Sequence, residues 1–476
     1  MTAEQVIDYD STPSPVLDSF HRDDSFIRAI MGPVGSGKSV ACSMETMLRA
    51  NEQLPLKGSK IRPVKFAVVR NTYRELEDTT IATYQQWVPP ELGNWKASTH
   101  TFTAEWDHPS DDGTIVEMEV IFRALDTPKD ARKLLSLEVT GAWFNEAREI
   151  PWGVIDLMQT RCGRFPPSKL GGATWDGIWI DTNPPDEDSQ FYKVFEEMRP
   201  EGYRLFRQPG GCEPGAENVQ NLKAGYYDRL RQGKTEDWIG VYVNGAYGFV
   251  MDGKPIYPEY HDRIHCSETV VPYIENEPIY LGMDFGLTPA CVFVQKHAGT
   301  YYVIDEVVTE NMGAVSFIKE VARRLRSTYK TSQVFGWGDP AGDQRSPIRE
   351  NESVFKIINQ AGVPIVPSPD QSNDPVTRRE SVGKLLSSLG FSGVPRLVIS
   401  PNCRFLRKGM RGAFCYKRLQ VAGTERYRDT PDKNIYSHVC EALEYLMVGL
   451  GEGYNLIESP AGASQHTPKV RGAMGE

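Results

Sequence analysis

The chain has 476 residues, 40% of them hydrophobic, eight cysteines and a formal net charge of −10. That length suits two or three globular domains, and the acidic balance excludes a generally basic coat, so any nucleic-acid contact has to come from local patches. The cysteines form no C-x-x-C pair, which argues against a zinc site or a disulfide framework, and no apolar run approaches the roughly 20 residues a membrane span needs; a soluble, intracellular protein is expected.

In chain order, the first element is "SFIRAIM", a short apolar run ending at Met31 and followed by "GPVGSGKS". A strand, a glycine-rich turn and a helix in "SVACSMETMLRA" are the parts of a phosphate loop. Backbone N–H groups of the turn containing Gly32, Gly35 and Gly37 would cradle phosphates. Lys38 would reach the β and γ phosphates, and Ser39 would ligate Mg²⁺. ATP and Mg²⁺ are the expected cofactors.

The run "VKFAVVR" predicts a second strand, ending at Arg70. "GAWFNEARE" predicts a third, with Asn145 and Glu146 where many such ATPases carry Asp-Glu. Glu146 is placed to orient and deprotonate the attacking water. Asn145 is a neutral amide in a position that normally carries a carboxylate, so weaker Mg²⁺ anchoring is expected there, with more reliance on Ser39. "GIWIDTNPP" predicts another parallel strand with Thr182 and Asn183 at its carboxyl end, where such sheets bind ligand and could sense the γ-phosphate; a plain turn would read the same way. Arg132 is the chosen trans-acting arginine, with Arg70 and Arg74 in reserve.

After "GKPIYPEYHDRIH" the composition resets. "IYLGMDFGLTPACVFVQ" and "YYVIDEVV" read as strands, "AVSFIKEVARRLRSTY" as an amphipathic helix, and "VFGWGDPAG" as a later strand with Asp339 at its tip. "NIYSHVCEALEYLMVGL" reads as a helix whose Val439, Ala442, Leu443 and Leu446 face a core. Asp284, Asp339 and Glu441 then supply three carboxylates from separate elements, the donor set for two Mg²⁺ or Mn²⁺ ions in a two-metal nuclease. Glu306 and Asp343 are reserve ligands. Arg404, Arg407, Lys408, Arg411, Lys417 and Arg418 form a basic cluster able to neutralise DNA phosphates, or a solvated face.

"GPVGSGKS", "VVRNTYRELEDT", "GAWFNEAREIP", "RCGRFPP", "DTNPP", "MDFG", "GDPAG" and "SHVCEALEYL", in this order, resemble the large terminase subunit of tailed bacteriophages. The resemblance implies an α/β chain: a P-loop ASCE-type ATPase domain over residues 1–210, a hinge over 211–252, a ribonuclease H-like nuclease domain over 253–452 and a flexible tail over 453–476. It implies ATP-driven translocation of double-stranded viral DNA into a procapsid, cleavage of concatemeric DNA, and partnership with the portal protein and a small terminase subunit. The protein is expected to be a monomer alone and a ring on the portal, in the host cytoplasm and absent from the mature virion. The alternatives are a P-loop translocase or helicase without nuclease activity and, from another class, a P-loop switch or scaffold that binds nucleotide to control assembly. Glu441 departs from the aspartate of many relatives, which leaves the metal preference open.

Overall fold

The computed structural model describes residues 9–88, 90–125, 130, 132, 134, 136–250, 253–285, 288–309, 312–330, 333–343, 354–369, 373–390, 393–419 and 426–452; the expected tail over 453–476 lies outside them. The chain forms two compact units, Met1–Val250 and Met251–Glu476.

The first unit is built on an eight-stranded sheet of β1 (Ile27–Met31), β2 (Ile61–Arg70), β3 (Gly93–Lys96), β4 (Thr101–Asp107), β5 (Ile115–Ala124), β6 (Gly141–Asn145), β7 (Gly177–Thr182) and β8 (Tyr203–Arg207). Its order is β3-β4-β5-β2-β6-β7-β1-β8. Strands β5, β2, β6, β7, β1 and β8 run parallel, and β3 and β4 extend the β5 edge as an antiparallel pair. β1, β6 and β7 are buried at every residue, the pattern of central parallel strands covered on both faces. β7 therefore stands between the strand that feeds the phosphate loop and the strand that ends in Asn145, which is the ASCE-type arrangement.

Beneath the loop, the helix Lys38–Glu52 is fixed to β1 by charge. Glu45, fully buried, binds Arg28 of β1 at 2.6 Å, Arg49 at 2.7 Å and His21 at 2.5 Å. Burial alone would push the Glu45 carboxyl up, but the facing Arg28, His21 and Arg49 hold it down to about 2.

The segment expected to be a hinge, 211–252, belongs to the first unit as far as Val250. It packs onto the phosphate loop: Tyr227 Oη donates to the Val34 carbonyl at 2.8 Å, Asn218 Nδ2 to the Gly35 carbonyl at 2.8 Å, and the Val34 N–H to the Tyr242 carbonyl at 2.9 Å. The loop's own carbonyls need donors, and this segment provides them.

In the second unit a short pair, β9 (Lys254–Pro255) with β16 (Cys415–Tyr416), flanks a six-stranded sheet. That sheet contains β10 (Ile279–Asp284), β11 (Ala290–His297), β12 (Thr300–Val308), β13 (Val334–Gly338), β14 (Val366–Pro367) and β15 (Leu397–Ile399), ordered β14-β13-β10-β11-β12-β15. β11 is antiparallel to both neighbours, and β13 is parallel to β10. Counted from β10 as the first strand, β14-β13-β10-β11-β12 gives the order 5-4-1-2-3 with the second strand reversed, that of the ribonuclease H-like fold, and β15 adds a parallel strand beyond β12.

The helix Ile435–Gly449 crosses this sheet, started by an Asn434 capping box with Ser437. Val439, Ala442, Leu443 and Leu446 are fully buried, as the spacing predicts. Gly282 of β10 is what lets the helix lie so low, because a Cβ there would come within 2.1 Å of the Ala442 carbonyl oxygen. This close approach carries Glu441 to the carboxyl end of β10.

Candidate active sites

At the first site the phosphate loop turns through Gly35 and Gly37, with φ of 76° and 85°, values that favour glycine. A Cβ on Gly32 would collide with the Gln208 side chain at 2.4 Å. Gln208 in turn accepts from Ser36 Oγ at 2.7 Å and donates to the Ser36 carbonyl at 2.9 Å, so the loop is held from its floor. Lys38 Nζ is buried and donates to the carbonyls of Gly32 at 3.1 Å and Pro33 at 2.6 Å. Burial lowers the Lys38 pKa, opposed by the carboxylates of Glu146 and Asp181.

Glu146 follows β6 directly, in the left-handed region with φ 53°. That conformation is uncommon for a residue with a side chain, and it clusters at functional sites. Burial raises the Glu146 pKa and Asp181 adds to the rise, while Lys38 and Arg70 oppose it. A carboxyl pushed toward neutrality is suited to accept a proton from water.

Thr182 and Asn183 reach the same loop. Asn183 Nδ2 donates to the Gly32 carbonyl at 2.9 Å, and Thr182 Oγ1 accepts from the Arg148 N–H at 3.1 Å. Asn145 is buried, its Oδ1 accepting from Thr80 Oγ1 at 2.6 Å. Asp181, to which the sequence assigns no role, and Arg70, a reserve arginine, also converge here. Asp181 accepts from Ser39 Oγ at 2.7 Å, and Arg70, 6% exposed, donates from Nη1 to the Asn145 carbonyl at 3.3 Å. Arg132 is exposed.

In the second unit, Asp284 and Asp339 leave adjacent parallel strands at one level: Met283 pairs with Gly338, and the Asp339 N–H donates to the Met283 carbonyl at 3.1 Å. Asp284, His438 and Glu441 offer ligand atoms that all lie within 4.8 Å of one another. His438 Nδ1 is 2.6 Å from Asp284 Oδ2. Asp339 is not in that group; its Oδ1 accepts from the Ala341 N–H at 3.0 Å and from Asn373 Nδ2 at 3.3 Å. Glu441 is paired with Lys433 and lies 3.8 Å from Arg378 Nη2. His438 stands within the quoted "SHVCEALEYL", one helical turn before Glu441, and the i, i+3 spacing is the signal that could have found it.

Of the reserve ligands, Glu306 is turned to another task, accepting the N–H groups of Phe405 at 2.8 Å and Leu406 at 2.9 Å at the start of the helix Arg404–Lys408. The Asp343 side chain lies outside those described. Within the basic cluster, Arg407 pairs with Asp262 at 2.6 Å and Lys417 with Asp432 at 2.9 Å, which reduces the charge available to phosphates. Among the described residues no helix is long and apolar enough to cross a membrane.

No family model matches the chain, and no curated protein matches it. Solved structures do. The chain resembles large terminases. The large terminase of a thermophilic bacteriophage is 14% identical, with a TM-score of 0.41, over 92% of this chain and 98% of that one. The large terminase ATPase domain of a Thermus phage is 14% identical, with a TM-score of 0.33, over 49% of this chain and 92% of that one. The nuclease domain of the phage P22 large terminase is 14% identical, with a TM-score of 0.30, over 41% of this chain and 92% of that one. The likeness is one of fold.

Proposed function

We propose that the protein is a viral DNA-packaging motor that hydrolyses ATP to move double-stranded DNA into a procapsid and cleaves concatemeric DNA with its second unit. One observation carries the reading: a single chain joins a phosphate loop, with Lys38 and Ser39 beside Glu146 and Asp181, to a second sheet whose strand ends bear Asp284 and Asp339 beneath a helix that brings Glu441 to them.

In the first unit, loop N–H groups and Lys38 bind the phosphates, and Ser39 is the hydroxyl suited to Mg²⁺. Mg²⁺ bound with ATP supplies charge neutralisation between the β and γ phosphates. Glu146 positions the attacking water and takes its proton. Asn183, tied to Gly32, and Thr182, tied to the Arg148 backbone, link loss of the γ-phosphate to the chain around them. Arg132 from a neighbouring subunit is the candidate for stabilising charge on the transferred group.

In the second unit, Asp284, His438 and Glu441 form a compact oxygen and nitrogen donor set that fits Mg²⁺ or Mn²⁺, with Asp339 beside it on the next strand. Two such ions supply stabilisation of both the attacking and the leaving oxygen of the phosphodiester. The chain's own part is to hold these acids on rigid elements, the tips of β10 and β13 and the buried face of the helix Ile435–Gly449.

The partners in this reading are double-stranded viral DNA, the portal protein and a small terminase subunit. The chain would be a monomer alone and a ring on the portal, active in the host cytoplasm, transiently at the portal vertex and absent from the mature virion. The test is ATP-driven packaging with portal-bearing procapsids and a small terminase subunit; DNA that stays nuclease-sensitive in that assay would refute the motor. A DNA translocase without cleavage is favoured by one observation, the pairing of Glu441 with Lys433, which already compensates a would-be ligand. Absence of any plasmid nicking with Mg²⁺ or Mn²⁺ would select that reading.

A further inference from the structure

The carboxylate missing at position 145 is present one strand away. Asn145 and Asp181 face each other in register on the parallel pair β6 and β7, and β7 is the strand inserted between β6 and the phosphate-loop strand. Asp181 is fully buried and accepts from Ser39 Oγ at 2.7 Å, from Trp143 Nε1 at 2.7 Å, and from Asn145 Nδ2 at 3.0 Å on each oxygen. Thr80 Oγ1 donates to Asn145 Oδ1 at 2.6 Å, so the amide has one sensible orientation, with its NH₂ toward Asp181. The serine whose hydroxyl would ligate Mg²⁺ thus already stands against an anionic oxygen.

We propose that Asp181 supplies the negative charge position 145 lacks, anchoring the Mg²⁺ of the bound nucleotide through Ser39 and the ion's water shell. The amide of Asn145 serves as the donor that aims this carboxylate. The inference rests on the ATPase reading of the phosphate loop. A purely structural role, clasping β6 to β7 through Trp143, is the competing account, and it predicts a different response.

The experiment uses the full chain and Mn²⁺ as the probe. Binding of ADP is measured in EDTA, and the ADP-dependent binding of Mn²⁺, taken as the difference between the ADP complex and the nucleotide-free chain so that ions held by the second unit cancel, is followed by electron paramagnetic resonance. Asp181→Asn should weaken Mn²⁺ binding by about ten-fold or more, the scale for losing an outer partner of a metal site, while ADP affinity in EDTA stays within about two-fold of wild type. Asp181→Ser, smaller and unable to overfill the strand end, should show the same loss and serves if the amide variant does not fold. Asn145→Asp in the Asp181→Asn background should recover most of the Mn²⁺ affinity. Trp143→Phe removes the clasp but not the charge, and should lower Tm with Mn²⁺ binding unchanged. Wild-type Mn²⁺ affinity in folded Asp181→Asn or Asp181→Ser protein, or an equal loss in Trp143→Phe, overturns the proposal. Failure of the wild-type chain to bind ADP under any condition overturns the ATPase reading instead.

Discussion

His438 Nδ1 and Asp284 Oδ2 are 2.6 Å apart, joining the helix Ile435–Gly449 to the end of β10. The contact fixes where the two elements present their ligand atoms, with Glu441 in the same group. His438→Ala is expected to reduce Mn²⁺-dependent plasmid nicking by about ten-fold or more, and Asp284→Ala, Asp339→Ala and Glu441→Ala should do so at least as strongly. Glu441→Asp should keep part of the activity, because a shorter carboxylate retains the charge. ATP hydrolysis, measured by phosphate release, should survive all five substitutions. Nicking by Asp284→Ala protein at the wild-type rate would place the nuclease elsewhere.

Arginine roles separate by location. Arg70 is buried beside Glu149, at 3.3 Å, and beside the Asn145 backbone, a placement that would confine any part in hydrolysis to its own subunit. Arg70→Ala should lower kcat for ATP hydrolysis by about a hundred-fold or more, and Arg70→Lys should restore little, since a point charge lacks the guanidinium fork. Arg132 is exposed, a placement available to a neighbouring copy. Mixing Arg132→Ala with Glu146→Ala protein under assembling conditions should return some hydrolysis. If assembled mixtures stay inactive, the trans role fails.

Lys38→Ala and Glu146→Ala should each abolish ATP hydrolysis while plasmid nicking persists, because the residues proposed for the two chemistries lie in different compact units. Substantial turnover in both variants would contradict the assignment of the phosphate loop.

The buried Glu45 gives a pH dependence with a definite sign. Its folded value, about 2, lies below the ordinary 4.5, so its contribution is present above about pH 4.5 and is lost as pH falls toward 2. The shift corresponds to about 3 kcal/mol. The difference in thermal stability between wild type and Glu45→Gln should therefore be largest near pH 6 and shrink steadily below pH 4.5. A difference that does not change with pH would mean the Arg28, Arg49 and His21 contacts carry no net charge effect.

Much of both sheets was legible because the decisive residues sit where a contiguous apolar run stops: Met31, Asn145, Asp284 and Gly338 all end strands. The helical period likewise placed Leu443 and Leu446 in the core. What sequence spacing does not carry is strand adjacency. Asp181 read as the lead-in to Thr182 and Asn183, and only the placing of β7 between β6 and β1 brings it against Asn145 on one side and Ser39 on the other. Glu306 looked available because it is acidic and near a strand end, yet two backbone N–H groups claim it. The antiparallel pair β3 and β4 was not foreseen, its strands lacking the continuous apolar character of the central ones.

The attachment of Val34 to Tyr242, and of Gly35 to Asn218, makes the nucleotide cradle and the last stretch of the first unit a single mechanical piece. A tug on the chain near residue 250 would reach the loop through the Val34 N–H and the Gly35 carbonyl, and a shift of the loop would pass outward along the same path. Trimming the unit at residue 210 would remove these struts and slacken the cradle, whereas a cut at 250 would leave it braced.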